Sequence, residues 1–268
     1  MFQHEAFGST AMTQVVIDQC LRDERCQLMQ IGNSVLEEPL WLVRVGNGPR
    51  TVHINACVHA NEWLTSWVLW DGLTYLLELA HIDLFKRCTI DVVPMVNPDG
   101  ANLCLDGRTD WKANANGVDL NDQFPAGWLV EKNRRQIYQP SSQDFAGDLP
   151  LSEPEAQALV RLVRQSDYQS VMSVHSQGEE IYWNYRGYEP VQSAEWASHL
   201  ATVSGYASVA LSNSDAGFKD WFIQEYARPG FTVEVGMGRN PLPLSDFPDI
   251  CQRFRVLLKK FILLNCES

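Results

Sequence analysis

The sequence predicts an α/β fold: a three-layer α/β/α sandwich built on a mixed, largely parallel twisted sheet. Two observations carry this. Short apolar runs with strand-like alternation recur along the 268 residues, and segments of helical period stand between most of them. Strands separated by helices pair most readily in parallel, because each crossover needs about a dozen residues or more. A third observation sets the domain count. There is no internal repeat, low-complexity segment or linker-like composition, so one domain is expected over residues 1–268.

Residues 10–22 carry a weak helical pattern (Val15, Val16, Cys20, Leu21). Leu28-Met29-Gln30-Ile31 and Leu40-Trp41-Leu42-Val43-Arg44-Val45 read as strands, and Asn47-Gly48 is a hairpin-type turn signal before the next one. Residues 51–58 alternate like a buried strand that ends at His59. From Trp63 the apolar residues take helical spacing to about Leu79, which puts Glu62 in the first turn. Residues 89–96 form a strand closed by the turn Asn97-Pro98-Asp99-Gly100.

From 101 to 148 the periodicity fades. Gly, Asn, Asp, Pro and Trp dominate, and a structureless stretch of that length is expected to be functional. Ser152 and Glu155 read as a capping box opening a helix through Val163. Residues 171–175, 181–185 and 231–235 read as strands, 193–203 as a helix and 246–264 as a final amphipathic helix.

A net charge of -12 argues against general nucleic-acid binding, which needs a basic face, and against an anionic lipid surface. No apolar run reaches transmembrane length, so membrane insertion is not expected. The start, Met1-Phe2-Gln3-His4-Glu5, lacks a basic segment followed by an apolar one. No secretory signal is therefore expected, and the expected location is the cytoplasm. The seven cysteines are odd in number and form no Cys-x-x-Cys, which fits reduced, mostly buried thiols in that compartment. A Cys20–Cys26 disulfide is the alternative. Without a Gly-x-Ser-x-Gly or a cysteine in a nucleophile-like context, a serine or cysteine hydrolase lacks support.

Titratable groups recur at the strand ends: His59 with Glu62 just beyond it, His175, and Glu234 inside the apolar run Phe231-Thr232-Val233-Glu234-Val235. Alone, His59 and Glu62 have an ordinary reading as a hydrogen-bonded histidine and a glutamate at a helix N-terminus. Ligands of open α/β sheets, however, bind beyond the carboxyl ends of strands. Two histidines and a glutamate suit a catalytic zinc that keeps a position open for water. A second, semi-buried glutamate beside such a site suits a general base.

Five blocks in order extend this pattern: His59-Ala60-Asn61-Glu62, Asn97-Pro98-Asp99-Gly100, Asn116-Gly117-Val118-Asp119-Leu120-Asn121, Val174-His175-Ser176 and Phe231-Thr232-Val233-Glu234. Over residues 55–236 the chain resembles the zinc carboxypeptidases related to pancreatic carboxypeptidase A. The resemblance implies a single catalytic domain over residues 1–268 and one zinc ion held by His59, Glu62 and His175. It implies Glu234 as the catalytic base and Asp119 as the carboxylate that orients His59, as ligating imidazoles generally require. Trp111-Lys112 stands where the family has tryptophan followed by the arginine that supports the oxyanion, so Lys112 is expected in that role, with charge but without a bidentate fork.

Three departures concern the substrate. Ordinary carboxypeptidases follow the asparagine of the third block with an arginine for the substrate carboxylate, whereas Asn121 is followed by Asp122. The family's substrate-covering tyrosine is missing from residues 211–215. The residue before Asp220-Trp221, which reads the substrate side chain in the family, is Lys219. The segments 121–125 and 175–180 look like the bacterial branch that cleaves γ-D-glutamyl–diamino acid bonds of peptidoglycan peptides. The expectation is a peptide or muropeptide substrate gripped by Asn121, with Asp122 on a diaminopimelate ammonium and Lys219 on a carboxylate. Recycling of internalised wall fragments goes with the cytoplasmic expectation. An ordinary metallocarboxypeptidase, an N-acyl amino acid deacylase and a non-catalytic binding module on the same scaffold are the alternatives.

Overall fold

The computed structural model describes residues 6–79 and 82–267. In chain order the elements are α1 (Ser9–Arg22), β1 (Cys26–Asn33), β2 (Pro39–Val45), β3 (Arg50–Ala56), α2 (Leu64–Glu78), α3 (Ile82–Arg87), β4 (Cys88–Val93) and α4 (Pro98–Leu105). They continue with α5 (Trp128–Arg135), α6 (Pro154–Arg164), β5 (Tyr168–His175), β6 (Glu180–Tyr182), α7 (Gln192–Ser204), β7 (Ala207–Val209), α8 (Phe218–Tyr226), β8 (Gly230–Glu234) and α9 (Phe247–Glu267).

The strands form one mixed sheet in the order β1-β2-β4-β3-β5-β8-β6-β7. The four inner strands β4, β3, β5 and β8 run parallel, and β1, β2 and β6 join antiparallel to their inner neighbours. Alternate strand residues enter two cores on opposite faces, as the pleat dictates. Val43, Ile54, Met172 and Val174 pack with the residues of α2, α7 and α9, including Leu69, Leu200 and Phe254. Leu42 and Val171 pack with those of α6 and α8, including Leu159, Trp221 and Phe222. Helices on both faces of the sheet give the expected three layers.

The structure corrects four local expectations. Asn47-Gly48 does not close a hairpin, because β4 lies between β2 and β3. The connection instead crosses the start of β4 so closely that a Cβ on Gly48 would sit 2.1 Å from backbone atoms of Arg87 and Cys88. Asn97-Pro98 opens a helix rather than a turn: Asn97 caps α4 by accepting from Gly100 N at 3.0 Å, and proline occupies the first turn. The capping box at Ser152 does not form. Glu153 holds the N-cap position, and Glu155 is buried, accepting from Val35 N and Asn114 Nδ2. Residues 101–148 contain α4, α5 and a short 3-10 turn at Leu120–Asp122, not a structureless span.

Cys20 and Cys26 carry free thiols. Among the described residues no helix is long and apolar enough to cross a membrane.

Candidate active site

The parallel strands deliver the site's side chains to one edge of the sheet. β3 ends at Ala56, earlier than the alternation predicts, because Cys57 turns the chain in the left-handed region (φ 53°). Thr65 then fixes the bend: its hydroxyl accepts from Cys57 N at 2.9 Å and donates to Glu62 O at 2.7 Å. His59 leads a 3-10 turn, Ala60–Glu62, and α2 begins two residues after Glu62. On the neighbouring strand, His175 ends β5 and pairs in register with Glu234, the last residue of β8.

His59, Glu62 and His175 converge. His59 Nδ1 lies 2.8 Å from Glu62 Oε1, His175 Nδ1 lies 3.0 Å from Glu62 Oε2, and the two Nδ1 atoms are 3.2 Å apart. All three residues are buried. Two imidazole nitrogens this close, facing one carboxylate, form a donor set whose lone pairs suit a shared divalent cation. The outer ring nitrogens have their own partners. His59 Nε2 is 3.1 Å from Asp119 Oδ1, and His175 Nε2 is 3.2 Å from Ser173 Oγ, which donates to Asn55 Oδ1. Such contacts set ring orientation and leave Nδ1 facing the site. These donors fit zinc, and the trio is one of two groups among the described residues with donor spacing for a metal.

The second group, Asp119, Asp122 and Asp144, is already filled by cations of the chain. Lys112 Nζ is 3.0 Å from Asp119 Oδ2, while Arg135 reaches Asp122 at 3.0 Å and Asp144 at 2.9 Å.

The electrostatics separate the carboxylates. Burial pushes Glu62 up, but His59 and His175 outweigh it and bring the carboxyl down to about 2. Asp119 is likewise buried, and Lys112 and His59 hold it well below the usual carboxylate range. Glu234 goes the other way: burial and then the Glu62 charge raise it well above the ordinary glutamate value, against the pull of His59 and Lys112. Burial lowers His175. Their surroundings thus drive these two carboxyls in opposite directions, Glu62 toward the ionised form that suits a ligand and Glu234 toward the proton-holding form that suits an acid–base group.

Asn121 N donates to Asp119 Oδ1 at 3.1 Å, which keeps Asn121 beside the oriented carboxylate. Asp122 is not available to a substrate ammonium: it is buried and accepts two bonds from Arg135, at 3.0 and 3.3 Å. Lys219 is also committed, donating to Asn184 O at 2.7 Å and to the Asp220 carboxylate. The sequence reading missed Ser173, although its position two residues before His175 puts it on the same face of β5. It also missed Arg134 and Arg135, which carry no local signal.

The family model described as zinc carboxypeptidase matches residues 16–255. The chain is 42% identical over 252 residues to gamma-D-glutamyl-L-diamino acid endopeptidase 1 of Lysinibacillus sphaericus, a match covering 83% of this chain and 63% of that protein. The chain therefore spans somewhat less than two thirds of that relative's length. Among solved structures, bovine thrombin-activatable fibrinolysis inhibitor superposes with a TM-score of 0.84 at 21% identity, covering 97% of each chain. Murein-tripeptide amidase MpaA from Escherichia coli O157 superposes with a TM-score of 0.57 at 25% identity, covering 89% of this chain and 91% of that one. With the histidine–glutamate–histidine trio in place at the sheet edge and a family model matched along most of its length, the chain belongs to the zinc carboxypeptidase family.

Proposed function

We propose that this protein is a single-domain hydrolase that uses one zinc ion, held by His59, Glu62 and His175, to cleave the γ-D-glutamyl–diaminopimelate amide bond of peptidoglycan-derived peptides. The observation that carries the reading is the register pair His175–Glu234. It sets a proton-accepting carboxylate against the histidine–glutamate–histidine cluster.

A zinc ion there supplies Lewis acidity toward the scissile carbonyl and lowers the pKa of water at the site. The chain's own residues do the rest. Glu234 takes a proton from the attacking water as the new C–O bond forms, then hands it to the amide nitrogen as the C–N bond breaks. Lys112 Nζ, drawn to the site by Asp119, faces the negative charge that develops on the carbonyl oxygen. Asp119 fixes the His59 ring through Nε2, and Ser173 does the same for His175. Asn121 donates to the substrate from the turn after Asp119.

The substrate class is supported by the name of the 42% identical relative, a gamma-D-glutamyl-L-diamino acid endopeptidase. It is supported also by Asp122, which stands where an ordinary carboxypeptidase offers a free arginine and is closed off by Arg135. Without that arginine, nothing at this position demands a free carboxylate next to the scissile bond, so a terminal diamino acid and one within a longer peptide are both compatible with it. A cytoplasmic setting, with recycled wall fragments as substrate, belongs to the same proposal and is supported by seven free cysteines, five of them buried.

The test is mass-spectrometric product analysis of zinc-loaded protein with L-Ala-γ-D-Glu-meso-diaminopimelate, a blocked dipeptide and an N-acyl amino acid. Release of diaminopimelate from the first alone is the expected result. Preferential cleavage of either of the other two overturns the substrate assignment.

A further inference from the structure

A cavity of about 380 Å³ opens beside the proposed site, within the size range of small-molecule pockets. Its walls include Arg134 at the end of α5, Tyr185 and Arg186 after β6, Asp215, and Lys219 and Asp220 at the start of α8. A relay of short contacts connects its wall to the metal-ligating cluster. Asp220 Oδ2 accepts from Gly217 N at 3.2 Å, and a Cβ on Gly217 would lie 3.5 Å from Asn121 Oδ1. Asn121 in turn bonds Asp119, the partner of His59. The segment that carries Tyr185 and Arg186 follows β6, which pairs antiparallel with β8, Glu180 against Glu234.

The cavity is charged in layers. Its carboxylates lie behind, with Asp215 and Asp220 side chains 2% and 4% exposed, and Lys219 is buried against Asp220. The guanidinium groups lie in front: the Arg134 side chain is 34% exposed and that of Arg186 49%. Asp215 holds both, through Arg134 Nη2 at 2.7 Å and Arg186 Nη2 at 2.7 Å, and accepts from Tyr185 Oη at 2.8 Å. The Arg186 guanidinium also stacks on the Tyr185 ring, 5.7 Å from its centroid. One ion pair through Nη2 leaves most of its fork open toward the cavity.

The backbone under Arg186 is held in place for this. Arg186 has φ 49°, a left-handed conformation that L side chains take at a cost. Glu189 Oε2 pins the turn by accepting from Tyr185 N at 2.7 Å and Gly187 N at 3.1 Å. An arginine is thus kept where glycine would be easier.

We propose that Arg186, with Arg134 beside it, binds a carboxylate on the side chain of the residue released as the amine, namely the distal carboxylate of a diamino dicarboxylic acid. This rests on the amide-bond reading above and replaces Lys219 in the role expected from the sequence. A carboxylate meets the fork bidentately, whereas a lysine side chain would bring a bare ammonium to a cationic surface.

The experiment compares two peptides with the zinc-loaded protein: L-Ala-γ-D-Glu-meso-diaminopimelate and its distal monoamide, which differs only in that carboxyl group. The wild type should prefer the free acid by about ten- to a hundredfold in kcat/KM. In Arg186→Gln that ratio should fall toward one, and Arg186→Lys should retain part of it. Arg134→Gln provides a second variant, and thermal melts of all three confirm folding. Equal wild-type rates, or a ratio unchanged in both glutamine variants, overturns the assignment of the arginines alone. Failure of the wild type to cleave either peptide overturns the underlying reaction as well.

Discussion

Asp122 and Arg135 form a two-pronged pair, with Nε 3.0 Å from Oδ2 and Nη2 3.3 Å from Oδ1, and the aspartate 2% exposed. Burial and then the neighbouring Asp119 charge still push Asp122 up to about 7, against Arg135 and Lys112. Arg135 thus offsets only part of the cost of burying this carboxylate. Arg135→Gln should cost about 2–3 kcal/mol in chemical denaturation, toward the lower end for a broken buried pair because Arg135 is itself partly exposed. Asp122→Asn/Arg135→Gln should cost less than the sum of the single changes. Additive losses would show that the pair is not coupled.

Glu234 and Lys112 should separate kinetically. Glu234→Gln removes the proton carrier but touches none of the three metal-directed side chains. It should lower kcat by about 10²- to 10⁴-fold while bound zinc per protein stays unchanged. Lys112→Met should lower kcat by about 10²- to 10³-fold, and Lys112→Arg should retain more. Lys112→Met also strips Asp119 of a counter-charge, so a melt of each variant distinguishes lost chemistry from a disturbed His59. Metal analysis showing that Glu234→Gln loses zinc would place Glu234 among the ligands instead.

Chelation tests the cluster as a metal centre. Without an ion, the inward-facing Nδ1 atoms of His59 and His175 meet the Glu62 carboxylate directly. Burial, the largest single influence on His59, and Lys112 push its imidazole down, yet Glu62 and Asp119 outweigh them and leave it at about 9. An ion at a thousandfold its dissociation constant adds about 4 kcal/mol to the folded state. For a chain of this size that is a rise in Tm of order 10 °C. Activity should vanish with a chelator and return with zinc. Glu62→Gln should show neither the shift nor the return, and a full zinc-induced shift in that variant would mean that the ion binds elsewhere.

The legible parts of the chain were those where local period and site coincide. β3 and β5 alternate into residues whose side chains meet, so His59 and His175 announced themselves at strand ends, and Glu234 stood out as a charge in an apolar run. The sheet order was not legible. Asn47-Gly48 carries a hairpin's composition, and only the close approach at Gly48 reveals a crossing. Nor was α8: Phe218 through Ile223 are all buried, so no polar face marks the helix, and Lys219 with Asp220 hide as a mutual pair. Asp122 misled for the same reason. Its partner Arg135 lies on a two-turn helix with no apolar stripe, entered at Gly127 and left at Gln136, both in the left-handed region. Long-range charge pairing leaves no periodic trace in a sequence.

His53, within β3, sets an acid limit on stability. It lies fully buried in β3 between Tyr168 and Phe218, with ring centroids 5.3 and 5.5 Å away. Its Nε2 faces Asn55 Nδ2 at 3.2 Å, and Nδ1 finds no hydrogen-bond partner among the described residues. Burial lowers the imidazole to about 4, with Asp91 opposing only in part. A base with a depressed folded pKa binds its proton more readily when unfolded. Its stabilising contribution is therefore complete above about pH 6.5 and drains away as pH falls toward 4, by about 3 kcal/mol in all. Asp122 and Glu155, both raised to about 7, act in the opposite sense over the same interval, so the wild-type curve alone does not isolate His53. Comparison with His53→Gln, which keeps an acceptor for Asn55, does. Urea unfolding at pH 7.5 and pH 4.5 should show the wild type losing about 2–3 kcal/mol more than the variant across the interval. Parallel losses would mean that the buried imidazole already carries its proton in the folded protein.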